Sequence, residues 1–156
     1  MDCKERMEAY LSENGVPYEV KQHSTAYTAP EVAAALHESG NHVAKVVMVA
    51  AGEQMAMCVV PSPYRLSMPK VRQMLGASQA RLAEEHEFGD LFPDCAPGAM
   101  PPFGNLYGVP VYVDRRLAEQ AALVFRVGTH QDSMKVAYDD FSRLAQPTVG
   151  EFVYLG

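Results

Sequence analysis

Cysteine is scarce in this chain, and its usage excludes two classes at once. Cys3, Cys58 and Cys95 are odd in number and widely spaced, so they form neither a disulfide framework nor a zinc pattern. A reducing cytosol suits such usage. No Lys/Arg cluster of the kind that follows a nucleic-acid backbone occurs anywhere, and the formal charge is −6, from 19 acidic and 13 basic residues. Extensive binding to duplex DNA is thereby excluded, whereas a pocket for one nucleotide end needs no basic face. No apolar run approaches the ~20 residues of a membrane span, and the opening Met1-Asp2-Cys3-Lys4-Glu5-Arg6 has no apolar signal region. A soluble, cytoplasmic protein with no membrane partner is expected. Histidines at 23, 37, 42, 86 and 130 form no close ligand pair on one element and lie near no cysteine, so neither a metal site nor a cofactor is expected. Gly-x-Ser-x-Gly elbows, phosphate-binding glycine loops and nicotinamide fingerprints are missing too. A nucleophile relay cannot be read from these residues.

What is present suffices for one core without staples: 156 residues, of which 48% are hydrophobic. Met7, Tyr10 and Leu11 recur at helical spacing before Asn14-Gly15, predicting a helix over 2–14. A short strand over 18–22 follows. Thr28 caps a second helix that ends near Gly40, with Pro30 in its first turn. An apolar strand from His42 to Ala51 and another from Met55 to Val60 flank Gly52-Glu53 as a hairpin. Ser67 and Pro69 open a helix stopped by Gly76, and a short helix spans 84–92. The segment 93–108, rich in proline and glycine, reads as a structured loop. Strands over 109–113, 123–127 and 133–138 and a closing helix over 139–144 complete the chain, with Asp139 and Asp140 serving the helix N-terminus. The methionines read as core filling. There is no repeat, low-complexity tract or domain boundary. The fold class is α/β: a single compact domain over 1–156 with a mixed, mostly antiparallel sheet covered by helices.

Two features stand out for chemistry. Lys45 interrupts the run Val43-Ala44-Lys45-Val46-Val47-Met48-Val49, in which both alternating faces are apolar. An ammonium group there is either a reactive amine or a cation awaiting a ligand, or else it snorkels from a strand end or pairs with a buried carboxylate. The pattern leaves these readings open. The second feature is Gly98-Ala99-Met100-Pro101-Pro102-Phe103-Gly104, whose prolines fix the backbone and whose glycines permit close approach. Its non-proline N–H groups, on Ala99, Met100, Phe103 and Gly104, are candidate donors to a carbonyl or oxyanion. A rigid turn without function is the competing reading. His130, in Gly128-Thr129-His130, sits on a turn between strands and either points into a pocket or lies on the surface. Cys58 and Cys95 as nucleophiles are set aside, since burial and turn structure account for them more simply.

In order, the lysine strand, the Gly-x-x-x-Pro loop from Gly98 to Pro102 with Phe103-Gly104 after it, and the Gly128-Thr129-His130 turn resemble the YbaK/ProX family of aminoacyl-tRNA deacylases, related to the editing domain of bacterial prolyl-tRNA synthetases. The likeness runs from the first helix through Tyr138 to Leu144. It implies hydrolysis of the ester joining a wrong amino acid to the 3′-terminal adenosine of a tRNA. The family's lysine maps onto Lys45 and its glycine-proline loop onto Gly98, Ala99, Met100, Pro101 and Pro102. By this likeness, Lys45 holds the terminal nucleotide or the carbonyl, and loop N–H groups place the ester and its oxyanion. Water, oriented by the loop and the substrate's 2′-hydroxyl, is the nucleophile. Thr28, Met100, Phe103 and His130 are implied pocket walls that set specificity among alanine, serine, threonine and cysteine esters, with Gly104 and Gly128 beside them. The implied partners are mischarged tRNA at its acceptor end and a synthetase or elongation factor that delivers it. The alternative on the same fold is a non-catalytic, small-molecule or nucleotide-binding regulatory module.

Overall fold

The computed structural model describes residues 1–156. Helix α1 (Cys3–Glu13) begins at a capping box in which Asp2 accepts from the Glu5 N–H and Glu5 accepts from that of Asp2. It buries Cys3, Met7 and Leu11, the spacing legible in the sequence. Strand β1 (Glu19–Gln22) leads to helix α2 (Ala29–Leu36), capped by Thr28 with Pro30 in the first turn. The helix stops before Gly40, because His37 adopts the left-handed conformation (φ 55°). A 3₁₀ turn over Gly40–His42 follows, and the His42 ring bonds Glu38 at 2.7 Å. His42 therefore belongs to this turn rather than to the lysine strand, which starts at Ala44.

Strands β2 (Ala44–Ala51) and β3 (Gln54–Pro61) form the expected hairpin around Gly52 (φ 64°) and Glu53, with Lys45 opposite Val60. Helix α3 (Met68–Leu75) runs from the Ser67 cap to Gly76. A short β4 (Arg81–Leu82), not foreseen, pairs with β2 at Val49 and Ala50. The helix expected over 84–92 divides into α4 (Glu85–Phe88) and a 3₁₀ turn over Gly89–Leu91. After the proline-rich loop and a turn over Gly104–Tyr107, β5 (Val111–Asp114) begins past Pro110, which has no N–H to donate. Helix α5 (Arg115–Ala118), β6 (Ala122–Arg126), β7 (Asp132–Ala137), α6 (Tyr138–Ala145) and β8 (Thr148–Gly150) follow. The two elements not expected among them, α5 and β8, are too short to carry a periodic signal.

The mixed, mostly antiparallel arrangement divides into two sheets. One has the order β1-β7-β6 and the other β4-β2-β3-β5-β8, with parallel pairing confined to β3 with β5 and β5 with β8. An isolated parallel bridge between Val43 and Val124 couples them. The main core lies beneath α1 and α6, where Phe103 meets Tyr10, Phe125 and Phe141 edge-on at centroid distances of 6.1, 5.6 and 5.3 Å. No helix is long and apolar enough to cross a membrane.

Phe103 is fully buried, so its ring links the proline-rich loop to the core. Phe103→Ala should cost about 3–5 kcal/mol in urea unfolding, the range for emptying an aromatic site in a packed interior. A loss below about 1 kcal/mol would show that the loop anchors elsewhere.

Candidate functional site

Lys45 is the second residue of β2 and is half-buried, beside Val46 and Val47, which are also only partly covered. Although both faces of the run are apolar, this end of the strand is thus not fully covered. Continuous burial begins at Met48, where the hairpin passes between the two apolar clusters. The ammonium group has no carboxylate or hydrogen-bond partner, which removes the reading of a buried ion pair. Desolvation alone pulls its pKa below the ordinary lysine range.

A second cation occupies the same face. Val43 and Val124 are paired in parallel and pack together with Ala29, Val32 and Ala33 of α2. Two residues beyond each, side-chain alternation brings Lys45 and Arg126 to the same side. Arg126 is only 9% exposed, and its Nη1 donates to the Tyr27 carbonyl at 2.6 Å. Burial lowers the guanidinium pKa, while Glu31 opposes that shift. Arg126 escaped the sequence reading although it carried the signal that marked Lys45: a basic residue inside the apolar run from Leu123 to Val127.

Backbone pairing brings the other elements to this place. The Ala26 N–H donates to the His130 carbonyl at 2.8 Å, and that of His23 to the Gln131 carbonyl at 3.0 Å. Tyr27 is 68% exposed, and its ring centroid lies 4.9 Å from that of His130. His130 Nε2 is 2.9 Å from the Pro97 carbonyl. A carbonyl only accepts, so Nε2 carries the proton of the neutral ring and Nδ1 is left an acceptor. That Nδ1 is buried and unpartnered. Thr28 is exposed, but its hydroxyl is engaged at the helix terminus, accepting from the Glu31 N–H and donating to the Glu31 carboxylate.

The loop meets the β6–β7 turn through two bonds to one residue. Ala96 N–H donates to the Gly128 carbonyl, and Gly128 N–H to the Ala99 carbonyl, both at 2.8 Å. Gly128 has φ 87°, and a Cβ there would stand 2.8 Å from Cys3 Cβ, so its role is backbone fit against α1. Only Pro97 and Gly98 of the segment 97–104 are exposed. Gly98 (φ 79°) would place a Cβ 3.6 Å from His130 Cε1. Ala99, Met100, Pro101 and Pro102 are buried. The Ala99 N–H is not a free donor, since it bonds the Ala96 carbonyl at 3.0 Å, whereas those of Gly98 and Met100 meet no protein acceptor. Phe103 is a core residue rather than a pocket wall, and Gly104 serves a tight turn in which a Cβ would meet the Val109 carbonyl at 2.7 Å.

Lys45, Arg126, Tyr27, His130 and Gly98 are thus joined by register and contact, while Phe103, Gly104 and Gly128 support them from within. The assembly is a shelf of graded exposure, with Tyr27 and Gly98 exposed, Lys45 and His130 half-buried and Arg126 buried. The main cleft, about 310 Å³, lies between Tyr18 and Val136 and includes none of these residues.

Comparison with known proteins bears on this geometry. The model of the aminoacyl-tRNA editing domain family matches residues 23–144. The chain is 30% identical over 117 residues to the proline–tRNA ligase of Thiobacillus denitrificans, covering 74% of this chain but 20% of the ligase. It is 21% identical to the prolyl-tRNA editing protein ProX of Acetoanaerobium sticklandii, covering 97% of this chain and 96% of that one. A solved structure described as a candidate trans-editing enzyme for prolyl-tRNA synthetase superposes with a TM-score of 0.83 at 21% identity, covering 97% of each chain. A candidate signal transduction protein from Marinobacter aquaeolei superposes with a TM-score of 0.73 at 18% identity, covering 94% of this chain and 30% of that one. At such identities the structural likeness speaks for the fold alone.

Because Lys45 has a folded pKa below its unfolded value, the unfolded chain binds that proton more tightly. Its contribution to stability therefore rises with pH from the lowered value up to the ordinary lysine value. Nuclear magnetic resonance of the reductively methylated protein should show Lys45 titrating below the other lysines. Lys45→Met should unfold in urea at or above the native midpoint at neutral pH, and a clear loss of stability would show that the ammonium group is internally compensated.

Proposed function

This chain belongs to the aminoacyl-tRNA editing domain family, and on that premise we propose that it is a deacylase that removes wrongly attached amino acids from tRNA. The observation that carries the reading is the unpaired Lys45 ammonium on the same face as the buried Arg126, linked through Tyr27 and His130 to the Gly98 loop. A desolvated lysine with no carboxylate partner, together with a buried arginine whose hydrogen bond goes to a carbonyl, suits an anionic ligand. The 3′ end of a tRNA supplies one in its last phosphodiester. Lys45 and Arg126 hold that end, and Lys45 polarises the ester carbonyl as negative charge develops. The N–H groups of Gly98 and Met100 serve as donors to the oxyanion. Water attacks the carbonyl carbon, the tetrahedral intermediate expels the ribose oxygen, and amino acid and free tRNA leave. The neighbouring 2′-hydroxyl orients the water, so an activated ester needs positioning rather than a protein nucleophile.

The His130 Nδ1 lone pair is suited to a donor on the amino acid, its ammonium group or a side-chain hydroxyl. With Tyr27 and the exposed edge of the loop it gives the shelf its selectivity among alanine, serine, threonine and cysteine esters. A second sieve of this kind meets a physical need, because one methylene gives a synthetase only about 1–3 kcal/mol of discrimination. The shelf, graded from exposed to buried, suits a ligand of which only the end enters. The charge of −6 gives tRNA no general attraction, so delivery by a synthetase or elongation factor complements the reading.

The test is release of amino acid from tRNAs charged with alanine, serine, threonine, cysteine and proline. The native protein should release one class selectively, and Lys45→Ala should lose at least ~100-fold of that rate, the scale for removing a charge-stabilising group. Arg126→Lys should raise KM more than it lowers kcat, and Gly98→Val should impair turnover by straining the loop. Full activity in Lys45→Ala would overturn the mechanism. No release from any charged tRNA, with or without the synthetase, would transfer the shelf to a regulatory binding role.

A further inference from the structure

Cys3 and Cys95 are far apart in sequence yet share one polar cluster. Cys3 opens α1, and its N–H donates to the Asp94 carbonyl at 3.2 Å. The Tyr107 hydroxyl lies 3.5 Å from Cys95 Sγ and 4.0 Å from Cys3 Sγ, while also donating to an Asp94 carboxylate oxygen at 3.2 Å. Arg6 sits over the Tyr107 ring, 4.6 Å from its centroid, and reaches the Asp94 carboxylate at 3.5 Å. The two thiols are unequal. Cys3 is 1% exposed, and Cys95 is partly exposed. Each thiol is the strongest influence on the other, lowering the pKa of Cys95 and raising that of Cys3, and the Tyr107 hydroxyl that both approach holds them in one cluster. Tyr107 supports the Cys95 thiolate, whereas Asp94 and burial oppose it. Cys95, partly exposed, is the thiol open to a small molecule, while a cleft of about 90 Å³ lined by Cys3, Lys4, Asp94 and Gly128 borders its buried partner.

We propose that Cys3 and Cys95 form an oxidisable dithiol that a hydroperoxide converts into an intramolecular disulfide. The Cys95 thiolate attacks the peroxide oxygen, breaking the O–O bond to leave a sulfenic acid and hydroxide, which takes up the thiol proton as water. Cys3 sulfur then attacks the Cys95 sulfur, a second water leaves with the Cys3 proton, and the S–S bond closes. Two thiols and one hydrogen peroxide give one disulfide and two waters, the sulfurs being oxidised and the peroxide oxygens reduced. The bond would tie the start of α1 to the residue before Ala96, whose N–H holds the loop to Gly128. Oxidation therefore clamps the segment that carries Gly98. In a reducing compartment such a bond is transient and sensing rather than structural. Cys58, fully buried with its pKa pushed up to about 12, is the internal control. The proposal is independent of the deacylase reading, since the cluster touches neither Lys45 nor His130.

The native full-length protein treated with hydrogen peroxide should lose two hydrogens by intact mass, regain them with dithiothreitol, and give a Cys3–Cys95 linked peptide on digestion. In Cys3→Ala the Cys95 sulfenic acid has no resolving partner and should be captured by dimedone. The oxidised native protein should also melt at a higher temperature than the reduced form. A linkage through Cys58, cross-linking only between molecules, or Cys95 passing to the sulfinic acid with Cys3 still reduced would overturn the proposal.

Discussion

The site depends on one backbone junction. Gly128 accepts from Ala96 and donates to Ala99, so the proline-rich loop is held to the β6–β7 turn as though it were a short additional strand. The junction tolerates only glycine, because α1 packs against it and a Cβ would collide with Cys3 at a positive φ. From there the chain of contacts runs outward: His130 to the Pro97 carbonyl, Tyr27 to His130, and Arg126 to the Tyr27 carbonyl. Behind it, Phe103 and Met100 anchor the same loop in the core. A rigid interior thus presents an exposed glycine with an unspent N–H, a placement that flexible loops do not hold.

The cations on this face are the costly part of the arrangement. Lys45 is desolvated with no counter-charge, and Arg126 gives a buried guanidinium one carbonyl acceptor. Elsewhere the protein satisfies its buried charges more fully. Asp114, wholly buried, accepts from the Arg116 and Phe152 N–H groups, and Glu38 is bonded by His42 and Lys135. The contrast separates charges that serve the fold from those left available to a ligand. The shelf lies just past the Val43–Val124 bridge where β2 and β6 meet, and there a long side chain such as that of Lys45 is only half-buried.

The long amphipathic and apolar elements were readable because their periodicity and punctuation agree: Asp2 and Glu5 at the start of α1, Thr28 and Pro30 at α2, Gly52-Glu53 in the hairpin, Ser67 and Gly76 around α3. The short elements β4, α5 and β8 were not, since two to four residues hold no period and their pairing is decided by distant partners. Of the candidate site, Lys45, Gly98 and His130 were legible as residue types out of place. Arg126 offered the same signal and was missed, while Tyr27 offered none, an exposed aromatic being distinctive only beside His130. Phe103 was read as a wall because the loop around it looks like surface, whereas its ring points into the core.

By itself the sequence determined the order of the main elements, the lysine that does not fit its strand, and the loop whose backbone prolines and glycines constrain, because those properties belong to spacing and to single residues. Tertiary structure alone decided that Lys45 lacks a carboxylate partner, that Arg126 shares its face, which loop N–H groups remain unspent, and that Cys3 meets Cys95. Burial, pairing and proximity are set by which distant segments pack together, and no local pattern encodes them.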